Sequence, residues 1–83
     1  MTMNIRVRLF SIAKDLAKMD ELQLDMKDGA HVNDIYDYLV AYNDSFMDHK
    51  EMFRVAVNNE YVEGDHGLHD GDEVAVIPPV SGG

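Results

Sequence analysis

Val32-Asn33-Asp34-Ile35-Tyr36-Asp37-Tyr38-Leu39-Val40-Ala41-Tyr42 is the stretch on which the fold turns. Val32, Ile35, Tyr36, Leu39 and Tyr42 recur at intervals of three and four, the spacing that aligns side chains on one face of an α-helix. Asn33 and Asp34 put an acceptor and a negative charge in the first turn, where free N–H groups and the positive end of the helix dipole lie. Asn43 supplies the stop. A lone helix with one apolar face needs a partner layer, and the segments on both sides of it alternate with a period of two.

Upstream, from Asn4, Ile5, Val7 and Leu9 alternate with Arg6, Arg8 and Phe10, which predicts a strand with the first three on one face and Phe10 pointing the opposite way. Ile12, Ala13, Leu16 and Ala17 then follow helical spacing up to Met19, with Ser11 as the N-cap. Leu22, Leu24 and Met26 form a second alternating run that Lys27-Asp28-Gly29 ends with turn residues. Downstream, residues 44–51 are polar and poorly periodic; they read as a loop, with Met47 and Met52 patching the edge of the core. Phe53 to Val57 reads as a strand, Asn58-Asn59-Glu60 as a turn into Tyr61-Val62, Gly64 to Asp72 as a surface connection, and Glu73 to Ile77 as the last strand. Strands, one long helix and strands again imply an α+β domain with the helix packed across one face of a mixed sheet.

The composition excludes several classes of function. At 83 residues, 46% hydrophobic and 28% charged, the chain fits one globular domain, assigned to residues 1–78. A net charge of −9, from 16 acidic against 7 basic residues, argues against nucleic acid and either favours basic protein partners or serves solubility alone. Without cysteine there is no thiolate metal site and no thiol nucleophile, so any sulfur chemistry has to arrive from outside. No apolar run approaches the ~20 residues that cross a bilayer and no secretory leader is visible, so a cytoplasmic chain without membrane contact is expected. His66 and His69 stand among Asp65, Asp70 and Asp72, but their spacing fits no metal loop, and Asp70-Gly71-Asp72 lacks the remaining EF-hand positions; no metal is expected.

After Ile77 the pattern stops. Pro78 and Pro79 cannot donate to a sheet ladder, and Val80-Ser81-Gly82-Gly83 carries nothing to anchor it, so residues 79–83 read as an extended tail. Stretched at about 3.3 to 3.6 Å per residue, those five residues reach roughly 17 Å, enough to enter another protein's active site. Two terminal glycines pass a narrow channel without side-chain obstruction. If Val74 and Val76 face inward, Ile77 faces out beside the tail, with Phe10 and Tyr61 bordering it.

The strings Ala56-Val57-Asn58, Asp70-Gly71-Asp72-Glu73-Val74-Ala75 and Pro78-Pro79-Val80-Ser81-Gly82-Gly83 resemble the sulfur carrier subunits of molybdopterin synthase, which are ubiquitin-like β-grasp proteins. The resemblance spans the chain in length and element order, and its motifs concentrate in the last 28 or so residues. It implies that the Gly83 carboxylate is the reacting group. A ubiquitin-activating-like adenylyltransferase would join Gly83 to AMP using ATP, and a sulfur donor would displace AMP to leave a thiocarboxylate. The tail, Pro79, Val80, Ser81, Gly82 and Gly83, would then enter the large synthase subunit, within a heterotetramer, and give its sulfur to cyclic pyranopterin monophosphate for molybdenum cofactor synthesis. The resemblance also makes Phe10, Tyr61 and Ile77 a partner-binding patch. It implies no permanently bound cofactor and no catalysis by this chain alone. Three alternatives stand beside it: a ubiquitin-like modifier joined to lysines after the same activation; a sulfur carrier for thiamine, amino-acid or tRNA thiolation pathways, which shares the final glycines but has the Pro-Pro-Val-Ser-Gly-Gly ending against it; and a passive interaction domain, for which Gly82 and Gly83 would be dispensable.

Overall fold

In the computed structural model, which describes residues 2–49 and 53–78, the elements run in the order β1 (Thr2–Leu9), α1 (Ile12–Ala17), β2 (Glu21–Lys27), α2 (Val32–Tyr42), α3 (Ser45–His49), β3 (Arg54–Val57), β4 (Glu60–Val62) and β5 (Glu73–Ile77). The strands form one five-stranded sheet in the order β2-β1-β5-β3-β4. Only the central pair, β1 with β5, is parallel; the other three pairings are antiparallel. This is the mixed sheet with a long helix on one face that the alternation implied, a β-grasp.

Period-two alternation decides which side of the sheet is covered. Along β1, Met3, Ile5, Val7 and Leu9 are buried while Thr2, Asn4, Arg6 and Arg8 are exposed. In register with them, Val74 and Val76 of β5 and Val55 and Val57 of β3 present a continuous apolar surface. Against it α2 sets Val32, Ile35, Tyr36 and Leu39, each at most 6% exposed. Burial pushes the Tyr36 phenol up from 10.0 to about 12, because a phenolate there would lose its water. Truncating any of the fully buried aliphatic side chains costs about 2–5 kcal/mol.

The start of α2 is tied down by backbone. The N–H groups of Val32 and Asn33 donate to the carbonyls of His66 and Gly64 at 3.0 and 2.9 Å, and the Leu68 N–H donates to the Ala30 carbonyl at 2.9 Å. The Asp34 carboxylate accepts the His31 N–H at 2.8 Å, as expected of an acid in the first turn. The surface connection after β4 is thus zipped onto the helix start, and the helix's orphan donors are satisfied.

Two departures from the sequence reading concern the segment after α2. Residues 44–51 were expected to be a loop, but Ser45–His49 forms α3, a single turn that periodicity cannot register because it needs more than one repeat. Asn43 explains it: its backbone N–H closes α2 on the Leu39 carbonyl, while its side-chain oxygen accepts the Ser45 N–H at 3.0 Å and its carbonyl accepts the Phe46 N–H at 3.0 Å. The turn buries Phe46 completely, with its ring centroid 6.1 Å from that of Phe53. Met47, expected at the core edge, is 64% exposed, because Phe46 takes the inward position one residue earlier. Met52 lies outside the described residues. At the other small helix Ser11 holds the cap position, but its side chain makes no capping hydrogen bond.

Candidate docking face and tail exit

One face of the sheet carries the helices; the other carries none. The alternation that buries Val7 and Val76 turns Arg6, Arg8 and Phe10 from β1 and its end, Glu73, Ala75 and Ile77 from β5, Arg54 and Ala56 from β3 and Tyr61 from β4 toward this open side. Leu9 is in parallel register with Val76, so the next residues, Phe10 and Ile77, lie side by side, and the Phe10 N–H reaches the Val76 carbonyl at 3.3 Å. Ile77 is opposite Arg54, and Tyr61 is opposite Ala56. Phe10, Ile77 and Tyr61 therefore share one face, spread over three strand spacings or about 14 Å. Phe10 is 39% and Tyr61 65% exposed, and Ile77 is half-buried.

Two of these residues carry arginines. The Arg8 guanidinium lies 5.5 Å from the centroid of Phe10 and that of Arg54 lies 5.9 Å from the centroid of Tyr61. Toward the other end of β1 and β5 the face is ion-paired: Arg6 Nε is 3.2 Å from Glu21 and its Nη1 3.7 Å from Glu73, and Arg8 Nη1 is 3.6 Å from Glu73. These side chains are about half exposed, so the pairs add little stability.

The start of β5, which sets the direction of the chain toward Ile77 and Pro78, is pinned by Asp72, the only buried charged or polar side chain among the described residues. Its carboxylate accepts the Asn58 side-chain N–H at 2.9 Å and the His69 N–H at 2.8 Å. Asn58 in turn accepts the Glu73 N–H at 3.1 Å through its side-chain oxygen and donates its backbone N–H to the Glu73 carbonyl at 2.8 Å. Asn58 and Asn59 both have positive φ, 51° and 72°, the two-residue turn whose twist matches a hairpin, and asparagine tolerates that conformation. His69 and Asp72, weighed as metal ligands in the sequence, are here components of this turn network. The network was missed in the sequence because it joins positions far apart in the chain; the Asn-Asn pair and the Asp-Gly-Asp turn were its visible ends.

Pro78 is the last described residue on this side of the chain and follows directly on Ile77. Pro79, Val80, Ser81, Gly82 and Gly83, the predicted tail, lie outside the described residues.

A family model described as the ThiS family matches residues 7–83, which include the end of β1, every later element and the final glycines. The chain belongs to the ThiS family. A molybdopterin synthase sulfur carrier subunit from Chlamydomonas reinhardtii is 36% identical over 83 residues, covering 98% of this chain and 100% of the relative. The protein of the same description from Escherichia coli K12 is 35% identical over 81 residues, covering 95% of this chain and 99% of the relative. Among solved structures, that of SAMP1, a small archaeal modifier protein, from Haloferax volcanii superposes with a TM-score of 0.80 at 26% identity, covering 96% of this chain and 99% of that one. The resemblance read from the tail and turn motifs thus extends over the whole chain, and the β-grasp architecture agrees with the solved neighbour.

Proposed function

We infer that this chain is the sulfur carrier subunit of a molybdopterin synthase and that its working group is the Gly83 carboxylate. The observation that carries the reading is the family match through residue 83 together with sulfur carrier subunits as full-length relatives. The geometry supports it: β5 delivers the chain to Pro78 beside Phe10 and Ile77, so a partner that covers those residues receives the following five directly. Phe10, Tyr61 and Ile77 are then the apolar contacts of docking.

The chemistry needs no side chain of this protein. A carboxylate is a poor electrophile; an activating enzyme transfers AMP from ATP to Gly83, releasing pyrophosphate, a donor protein's persulfide sulfur then displaces AMP, and a thiol cleaves the acyl disulfide so formed, leaving a disulfide on the donor side and a free thiocarboxylate at Gly83. The resulting thiocarboxylate is ionised near neutrality and nucleophilic at sulfur, as a thiolate is. In the large subunit its sulfur attacks a carbon of cyclic pyranopterin monophosphate and displaces the oxygen held there, and hydrolysis of the resulting thioester leaves the sulfur on the product and returns the Gly83 carboxylate. Acid-base and phosphate-binding groups belong to that subunit. The folded body docks and aims the tail.

The test is to incubate the chain with the large synthase subunit and the pyranopterin precursor, with and without prior thiocarboxylation. Molybdopterin is expected only from the thiocarboxylate form; product from a chain whose terminal carbonyl is blocked would overturn the reading. The likeness to an archaeal modifier protein favours one second reading, in which the activated Gly83 is attacked by a lysine amine instead. Mass spectrometry separates the two: one sulfur replacing one oxygen at Gly83 marks the carrier, and branched Gly-Gly remnants on lysines of other proteins mark the modifier.

A further inference from the structure

The charge of this chain is unevenly placed. Its net charge is −9, yet the strand residues of the open face hold all three arginines and Lys27, four of the seven basic residues, against only Glu21, Asp25 and Glu73 of the 16 acidic ones. Glu21 and Glu73 are engaged with Arg6 and Arg8, whereas Arg54 lies over the Tyr61 ring. The end of the face nearest Pro78 therefore combines exposed aromatic surface with guanidinium groups, on a molecule that is acidic elsewhere. A ring beneath a guanidinium holds the planar group flat and leaves its in-plane N–H groups pointing outward, the geometry that takes a carboxylate with two parallel hydrogen bonds.

We propose that Arg54, with Arg8 in support, is the contact point for carboxylates on the protein that receives the tail, whose docking surface is accordingly an apolar hollow rimmed by Asp and Glu side chains. The inference rests on the tail-docking reading above and adds the chemistry of the partner. Phe10, Ile77 and Tyr61 fill the hollow, and the arginines steer the approach and set the register in which the five tail residues enter. The rest of the surface repels an acidic partner, so only this face is presented to it. A basic partner would be drawn instead to the acidic remainder of the molecule and would leave the tail pointing away.

The experiment measures binding of the full chain to the large synthase subunit by surface plasmon resonance, from about 50 to about 500 mM NaCl, where screening shortens from roughly 14 to 4 Å. Arg54→Glu is expected to weaken binding at least about tenfold at the low salt, chiefly through slower association, and the deficit shrinks at the high salt. Arg54→Lys is expected to retain the association rate within about twofold and to dissociate several-fold faster, because the charge stays and the two-pronged contact is lost. Lys18→Glu, which makes the same charge change at the exposed residue just after α1, is expected to bind within about twofold of the parent at both salts. The inference is overturned if Arg54→Glu binds as the parent does, or if its deficit is the same at both salts with its unfolding temperature intact. Should the parent chain itself fail to bind the large subunit, the tail-docking reading falls and takes this inference with it. If the parent binds and donates sulfur while Arg54→Glu binds equally well, only the carboxylate contact is refuted.

Discussion

Tyr36 shows how a single side chain can report on the core. Its ring packs with the buried residues of α2, and burial raises its phenol from 10.0 to about 12. The folded chain therefore keeps, between those two pH values, a proton that the unfolded chain gives up. Stability from this group is fully present below pH 10 and is lost as pH rises toward 12, by up to about 2 kcal/mol. In urea unfolding at about pH 9 and about pH 11.5, Tyr36→Phe should flatten the alkaline decline relative to the parent by that order. Ser11 shows the opposite kind of residue effect. Its φ of 54° and ψ of −124° are unfavourable for a side chain, and it sits immediately after Phe10, where the chain must turn sharply from β1 into α1. Helical spacing located that turn, but no rule of spacing marks strain.

Among the elements, α3 is the one whose role the sequence concealed. Five residues that look like a polar loop insert Phe46 into the core beside Phe53, closing the end of the helical layer. Phe46→Ala is expected to cost about 3–5 kcal/mol in chemical denaturation, as removal of a fully buried ring does, whereas Met47→Ala next to it should stay within about 0.5 kcal/mol. The contrast tests the assignment of the inward position directly. The β3–β4 hairpin is the converse case. Asn58-Asn59 declared its turn in the sequence, and the positive φ of both residues is what that pair is suited to.

At the scale of the whole molecule, the sheet separates the core from the proposed docking face. The helix-covered face holds the core, and the open face holds Phe10, Ile77, Tyr61 and the arginines above them. A chain lengthened by one residue after Gly83 should thus keep its thermal midpoint within about 1 °C and its affinity for the large subunit, yet yield no molybdopterin. Calorimetry, binding and product formation on the same sample check the three parts. A lengthened chain that still supported synthesis would remove the carboxylate from the mechanism. Loss of stability, by contrast, would mean that the terminus is part of the fold.

Alternation and helical spacing are local properties of the chain, so Ile5, Val7, Leu9, Val32, Ile35, Leu39, Val74 and Val76 were legible as one core before any coordinates, whereas the Pro-Pro-Val-Ser-Gly-Gly ending stood out through its family resemblance and is here proposed as the reacting segment. The outward direction of Phe10 and Ile77 followed from the same parity. What parity cannot supply is strand order. Only the insertion of β5 between β1 and β3 makes Phe10, Ile77, Arg54 and Tyr61 neighbours, brings all three arginines onto one face, and lets Asp72 clasp Asn58 across fourteen positions of sequence. Those contacts depend on which segments pair in three dimensions, and pairing is chosen by burial of the whole apolar face at once rather than by any one stretch of residues.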